Sequence, residues 1–178
     1  MKTVINALKS ATQRRGMYSG GAILGIIGRR EFEHFVRLCD EDLSNVALIA
    51  ALDPDDEFTM NCIPHNDEVV KRFGSVLQIA FWDIAGDDVG RYKGITPEQG
   101  KTIASFIAAN QDKQFIVHCA AGVSRSAGIA KAIECIVEHG GSRFDYALAG
   151  SEIDRHPRYT PNMRVFDSVM DGFEGLAF

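Results

Sequence analysis

Three largely apolar runs divide the chain. Residues 45–52 (NVALIAAL), 75–82 (SVLQIAFW) and 115–119 (FIVHC) read as buried strands, since a strand covered on both faces is apolar along its whole length. Elsewhere the apolar positions change period. Phe32, Phe35, Val36 and Cys39 recur at helical spacing, as do Ile103, Phe106 and Ile107, and then Ile129, Ile133, Ile136 and Val137 within 126–138. Each set is the stripe of a helix that buries one side. A last helix follows Pro161-Asn162, with Val165, Phe166, Val169 and Met170 as its stripe. Residues 3–8 (TVINAL) read as a first strand and 9–21 as a loop with Lys9, Arg14 and Arg15.

The punctuation agrees with this division. Thr96-Pro97-Glu98-Gln99 is a helix start: Thr caps, Pro suits the first turn, and Gln99 stands three after the cap. Asp53-Pro54-Asp55-Asp56 breaks the strand before it. A short helix is expected from about Asn66, ended by Gly74, and Gly140-Gly141 ends the helix after residue 126. The segment GGAILGIIGRR at 20–30 has neither the lysine of a phosphate-binding Walker loop nor the glycine spacing of a dinucleotide fingerprint, and reads as a glycine-punctuated apolar segment. Strands alternating with helices predict an α/β fold: a single domain over residues 1–178 with a mainly parallel central sheet flanked by helices. There is no internal repeat, low-complexity tract or long linker.

Composition narrows the function. At 178 residues, 46% hydrophobic and 24% charged, the chain has the makeup of an ordinary globular protein. A net charge of −5 argues against a nucleic-acid partner, so any anion site must be local. No apolar run approaches the roughly 20 residues of a membrane helix, which argues against a membrane partner. The N-terminus reads as mature protein, not a signal peptide. Cys39, Cys62, Cys119 and Cys135 have no metal-ligand spacing. They read as reduced thiols, and the expected compartment is the cytoplasm.

The candidate chemistry lies in residues 115–128, FIVHCAAGVSRSAG. A strand ends at His118 and Cys119, a loop of small residues follows, and Arg125-Ser126 opens a helix. A cysteine is a strong nucleophile only as the thiolate. The partial positive charge of a helix N-terminus and the Arg125 guanidinium both favour an anion at that place. Backbone N–H groups of Ala120 to Arg125 can form a nest for a phosphate, and Ala120, Ala121 and Gly122 let it approach the chain closely. Arg125 offers a planar fork for two phosphate oxygens. Ser124 and Ser126 are hydroxyl donors beside the sulfur, one of which can stabilise it as it leaves. His118 orients the cysteine backbone or hydrogen-bonds locally.

His118, Cys119, Ala121, Gly122, Ser124, Arg125 and Ser126 together resemble the His-Cys-x5-Arg-Ser signature of the cysteine-dependent protein tyrosine phosphatases, in particular the dual-specificity and small bacterial branch. The similarity covers about residues 44–172, with only the loop specific. The stretch RHPRYTPNMRVF, with Arg155 or Arg158 and Pro161-Asn162, is similar to the family's C-terminal helix start. The resemblance implies a tyrosine-phosphatase-like fold and phosphate monoester hydrolysis through a phosphocysteine, with no metal or organic cofactor. Its implied catalytic set is Cys119, Arg125, Ser126 and an aspartate on an upstream loop. Its phosphate-holding set is His118, Ala120, Ala121, Gly122, Val123, Ser124 and Arg125. Asp83, after the 75–82 strand, matches the family's acid, with Asp87 and Asp88 as rivals. Trp82 directly precedes Asp83, a departure from the Trp-Pro-Asp of the larger family members. The implied partners are a phosphoprotein, by default phosphotyrosine, and phosphate or another oxyanion in the loop. The alternative is a catalytically silent phosphopeptide-binding module of the same fold.

Overall fold

The structure is a computed structural model that describes residues 2–12, 16–55 and 67–176. Its centre is a four-stranded sheet of β1 (Ile23–Gly28), β2 (Leu43–Leu52), β3 (Phe73–Ala80) and β4 (Gln114–Cys119), in the order β1-β4-β2-β3. Every neighbouring pair is parallel. The chain runs from β1 to β2 and leaves between them the place that β4 later fills. In open parallel sheets, ligand crevices form beyond the carboxyl ends of the strands at such a reversal of order. Register brings Gly28 beside Cys119 and Leu52 beside Ala80 at that edge.

Helices cover both faces, which is why β1, the later part of β2 and most of β4 are apolar and buried. Side chains of β4 alternate. Phe115, Val117 and Cys119 point to one core, with Ile103 and Ile107 of α4 (Pro97–Ala108), Ile129 and Ile133 of α5 (Arg125–Ile133), and Val165 and Val169 of α8 (Met163–Glu174). Ile116 points to the other core, with Leu8 of α1 (Lys2–Thr12) and Phe32, Phe35 and Val36 of α2 (Arg29–Leu38). The short helices α3 (Asp67–Val70), α6 (Arg143–Ala149) and α7 (Glu152–Arg155) complete the described set.

The helix start at Thr96 forms as expected: its hydroxyl accepts from the Gln99 N–H, and the Gln99 side chain accepts from the Thr96 N–H. Gly140 and Gly141, at φ 59° and 80°, close the helix that begins at Arg125. That helix ends in a π-helical turn, Glu134–Glu138. The turn carries a buried carboxylate, Glu134, which accepts from the hydroxyls of Tyr18 at 3.0 Å, Tyr146 at 2.8 Å and Ser151 at 2.9 Å. Burial, reinforced by that charge, pushes both tyrosine hydroxyls above their ordinary pKa.

Two expectations are corrected. Residues 3–8 are helical, not a strand, and the same helix runs on to Thr12, against the loop expected from residue 9. Val4, Leu8 and Ala11 are buried together, four and three residues apart, and this face packs on α2 and β1; that helical stripe outweighs the local Thr-Val-Ile preference for strand. Gly74 does not end a helix but lies inside β3, where β2 approaches so closely that a Cβ would stand 1.9 Å from the Ser44 carbonyl oxygen. The expected helix start at Asn66, together with Arg14, Arg15, Asp56 and Cys62, lies outside the described residues.

The α1 face gives a direct test. Leu8→Ala should cost about 2–5 kcal/mol in urea unfolding, as for a fully buried leucine. Lys9→Ala on the exposed side should change stability by less than about 0.5 kcal/mol. Equal small effects would contradict the packing of α1 on the sheet.

Candidate active site

The chain leaves β4 at Cys119 and re-enters helix at Arg125, and the loop between is held from both sides. The Arg29 N–H donates to the Ala120 carbonyl at 3.2 Å, which ties the loop to the start of α2. On the other side, the N–H groups of Thr160 and Asn162 donate to Val123 and Ser124 at 3.1 and 3.2 Å. Gly122, at φ 70°, lies directly on the end of β1: a Cβ there would be 2.2 Å from the Gly28 nitrogen. A Cβ on Gly28 would be 2.9 Å from the Ala121 oxygen. Gly28 is thus part of the loop's seat, a role its sequence context does not reveal. Its N–H donates to Glu31 at 2.7 Å, and Glu31 is ion-paired with the buried Arg158. Of the two candidate arginines before Pro161, Arg158 therefore supports the loop's seat, while Arg155 pairs with Glu152 at the surface.

The loop turns its polar atoms on the sulfur. The Gly122 N–H donates to Cys119 Sγ at 3.2 Å, and the Ser126 hydroxyl stands 3.3 Å from it. Cys119 and Ser126 are both buried. His118, one residue earlier on β4, faces the opposite core, where its ring stacks on Phe32 with centroids 4.5 Å apart. The two-residue period of a strand sets this separation, and it gives His118 a place in the core on the face opposite the sulfur.

Arg125 is only 3% exposed, yet it is charged. Its Nη1 donates to the carbonyl of Leu52, the last residue of β2, at 3.0 Å and to that of Phe81, just past β3, at 2.8 Å. Its Nη2 is ion-paired with Asp53 at 2.8 Å. Nε is buried and has no hydrogen-bond partner among the described residues. A guanidinium has five N–H groups, and the two carbonyl bonds take both of those on Nη1. Nε and Nη2 form the other edge of the fork, the shape that takes two oxygens of an oxyanion. Asp53, which in the sequence reads only as a strand breaker, is thus a partner of the key cation.

The three acid candidates separate cleanly. Asp83 accepts at one oxygen, Oδ1, from the Ser124 hydroxyl and from the Asn162 side chain, each at 2.8 Å. It is thereby fastened to the loop. Asp88 accepts from the Gly94 N–H at 3.0 Å and pairs with Arg164 at 2.8 Å; the Gly94 bond, followed by Arg164, holds its carboxyl below the ordinary aspartate range. Asp87 is exposed on the same stretch. The structure therefore gathers Cys119, Gly122, Ser124, Arg125, Ser126 and Asp83, and leaves Asp87 and Asp88 outside that group. Ala120 and Val123 serve through their carbonyls, which anchor the loop. A groove of about 700 Å³ between α4 and α8, lined in part by Ile95, Lys101 and Arg164, is not bordered by the loop.

No protein-family model matches the chain, and no curated protein matches it. Among solved structures, the chain is similar to Tk-PTP in its active form, at 19% identity over 92% of this chain and 99% of that one, with a TM-score of 0.51. It is also similar to the Yvh1 phosphatase domain from Chaetomium thermophilum, at 14% identity over 89% and 94% of the two chains, with a TM-score of 0.46. The first likeness shows the fold alone: this chain is folded like Tk-PTP, a four-stranded parallel sheet flanked by helices.

The seat of the loop predicts a contrast between two glycines of similar φ. Gly140→Ala, with open space around it, should lose only the left-handed backbone term, about 1–2 kcal/mol. Gly122→Ala adds an overlap with β1 and should lose clearly more in urea unfolding. Equal losses would contradict the close packing of the loop on Gly28.

Proposed function

We propose that the protein hydrolyses phosphate monoesters, with phosphotyrosine on a protein as the default substrate and dual specificity within reach of the same site. The observation that carries this reading is that one loop joins Cys119, the open edge of Arg125 and the tie to Asp83. The Cys119 thiolate attacks phosphorus, while the Arg125 edge and the loop amides hold the equatorial oxygens. As the P–O bond breaks, Asp83 gives its proton to the leaving oxygen. The product is a phosphocysteine. Water then attacks phosphorus and passes its proton to the Asp83 carboxylate. The S–P bond breaks, phosphate leaves, and Ser126 stabilises the returning thiolate. The chemistry calls on no metal or organic cofactor.

Hydrolysis of para-nitrophenyl phosphate in a chelator-containing buffer tests this reading. Cys119→Ser should abolish turnover, and vanadate should inhibit it. Asp83→Asn should lower kcat by about 10²- to 10⁴-fold, the usual worth of a general acid, while Asp87→Asn and Asp88→Asn stay near wild type. Activity surviving in Cys119→Ser would overturn the mechanism. Phosphopeptide binding without turnover would support the silent-module reading instead.

Alkylation supplies a second test. Brief iodoacetamide treatment at neutral pH should modify Cys119 and spare Cys135, whose thiol burial pushes up to about 11, keeping it protonated. Cys135 should react only after unfolding. Peptide mapping that finds Cys135 modified first would contradict this.

A further inference from the structure

Asn162 is 3% exposed and makes three contacts that join separate parts of the site. Its Oδ1 accepts from the Val165 N–H at 3.2 Å, which caps α8. That contact fixes the orientation of the amide, because only an oxygen can face an N–H donor. Nδ2 must then point the other way, and there it donates to Asp83 Oδ1 at 2.8 Å. Its backbone N–H donates to Ser124, the loop residue whose hydroxyl meets the same carboxylate oxygen. The segment has no slack, since a Cβ on Gly128 of α5 would stand 2.5 Å from the Asn162 carbonyl oxygen.

Two residues further, Arg164 holds the acid loop itself. Its Nη1 donates to the Gly86 carbonyl at 2.6 Å and pairs with Asp88, while its Nη2 reaches the Ile95 carbonyl at 3.4 Å. Gly94 makes room for it: a Cβ there would lie 2.7 Å from the guanidinium carbon. The two ends of residues 86–95 are thus tied to one side chain.

We infer that the first turn of α8 is the positioning element for the acid, with Asn162 setting the Asp83 carboxylate and Arg164 seating the loop that carries it. This rests on the assignment of Asp83 above. Ser124 and Asn162 both donate to Oδ1, so the proton of the neutral acid belongs on Oδ2, the oxygen that must face the leaving group. Neither Asn162 nor Arg164 touches the reacting atoms in this scheme. Each acts through Asp83.

A leaving-group comparison tests the inference. Phenyl phosphate needs a proton on its departing oxygen, whereas dinitrophenyl phosphate leaves as a stable anion and needs almost none. Asn162→Asp keeps an oxygen that can cap α8 but has no N–H to give Asp83. It should lose about 10- to 100-fold in kcat on phenyl phosphate, part of the range a general acid supplies, and less than about threefold on dinitrophenyl phosphate. Arg164→Met should show the same split to a smaller degree. Asp83→Asn should show it fully, and Asn162→Asp placed on top of Asp83→Asn should add no further leaving-group dependence. Equal losses on both esters, or none, in an Asn162→Asp variant of an active enzyme would overturn the inference alone. A wild-type protein inactive on both esters would overturn the functional reading and the inference with it.

Discussion

A buried guanidinium has to be met by hydrogen bonds, and the arrangement of the site follows from how Arg125 is met. Removing such a charge from water costs several kcal/mol unless partners replace the solvent. The partners here are the Leu52 carbonyl at the end of β2, the Phe81 carbonyl just past β3 and the Asp53 carboxylate just beyond β2. They hold the side chain in one orientation and take both N–H groups of Nη1. The other edge, Nε and Nη2, has the shape that takes two oxygens of an anion. The charge of Asp53 has a second consequence. It offsets the arginine in the absence of ligand, which lets a cation stay buried beside the end of the sheet.

Topology puts that edge where it is useful. Because β4 fills the gap between β1 and β2, the loop after it emerges at the middle of the sheet's carboxyl edge, flanked by Gly28 on one side and Asp53 on the other. Period-two alternation then sorts neighbouring side chains: Cys119 faces the α4–α5–α8 core, and His118 faces the α1–α2 core. Asp83 follows the end of β3 and is met by Asn162, the cap of α8. Asp83 and the Cys119 loop therefore come from elements far apart in sequence, joined through Ser124 and Asn162.

What was legible in the sequence was what is local. Cys119 to Ser126 is one continuous stretch, so its strand-loop-helix character could be read directly. Three of the four strands were legible from apolar runs, the helix after Thr96 from its cap, and the last helix from the apolar stripe after Pro161-Asn162. The sequence offered Asp83 with Asp87 and Asp88 as rivals, and only the tertiary contact with Ser124 sets Asp83 apart as the one tied to the Cys119 loop. Gly28, Asp53, Glu31 and Arg158 were not legible as parts of a site, because each owes its place to tertiary register and not to its neighbours in the chain. Gly74 was misread for the same reason, since its requirement comes from Ser44 on another strand. Residues 3–8 were misread because a short β-branched run resembles a strand until the spacing of Val4, Leu8 and Ala11 is followed through to the end of the helix.

The central claim is that Cys119 takes the phosphoryl group itself. The most direct measurement is mass spectrometry of the Asp83→Ala protein, acid-quenched during turnover of para-nitrophenyl phosphate, with the modified peptide mapped. The account predicts one phosphoryl group on the peptide containing Cys119, and none in the Cys119→Ser protein. A phosphoryl group on any other residue, or turnover by wild-type protein with none ever trapped on Cys119, would contradict it.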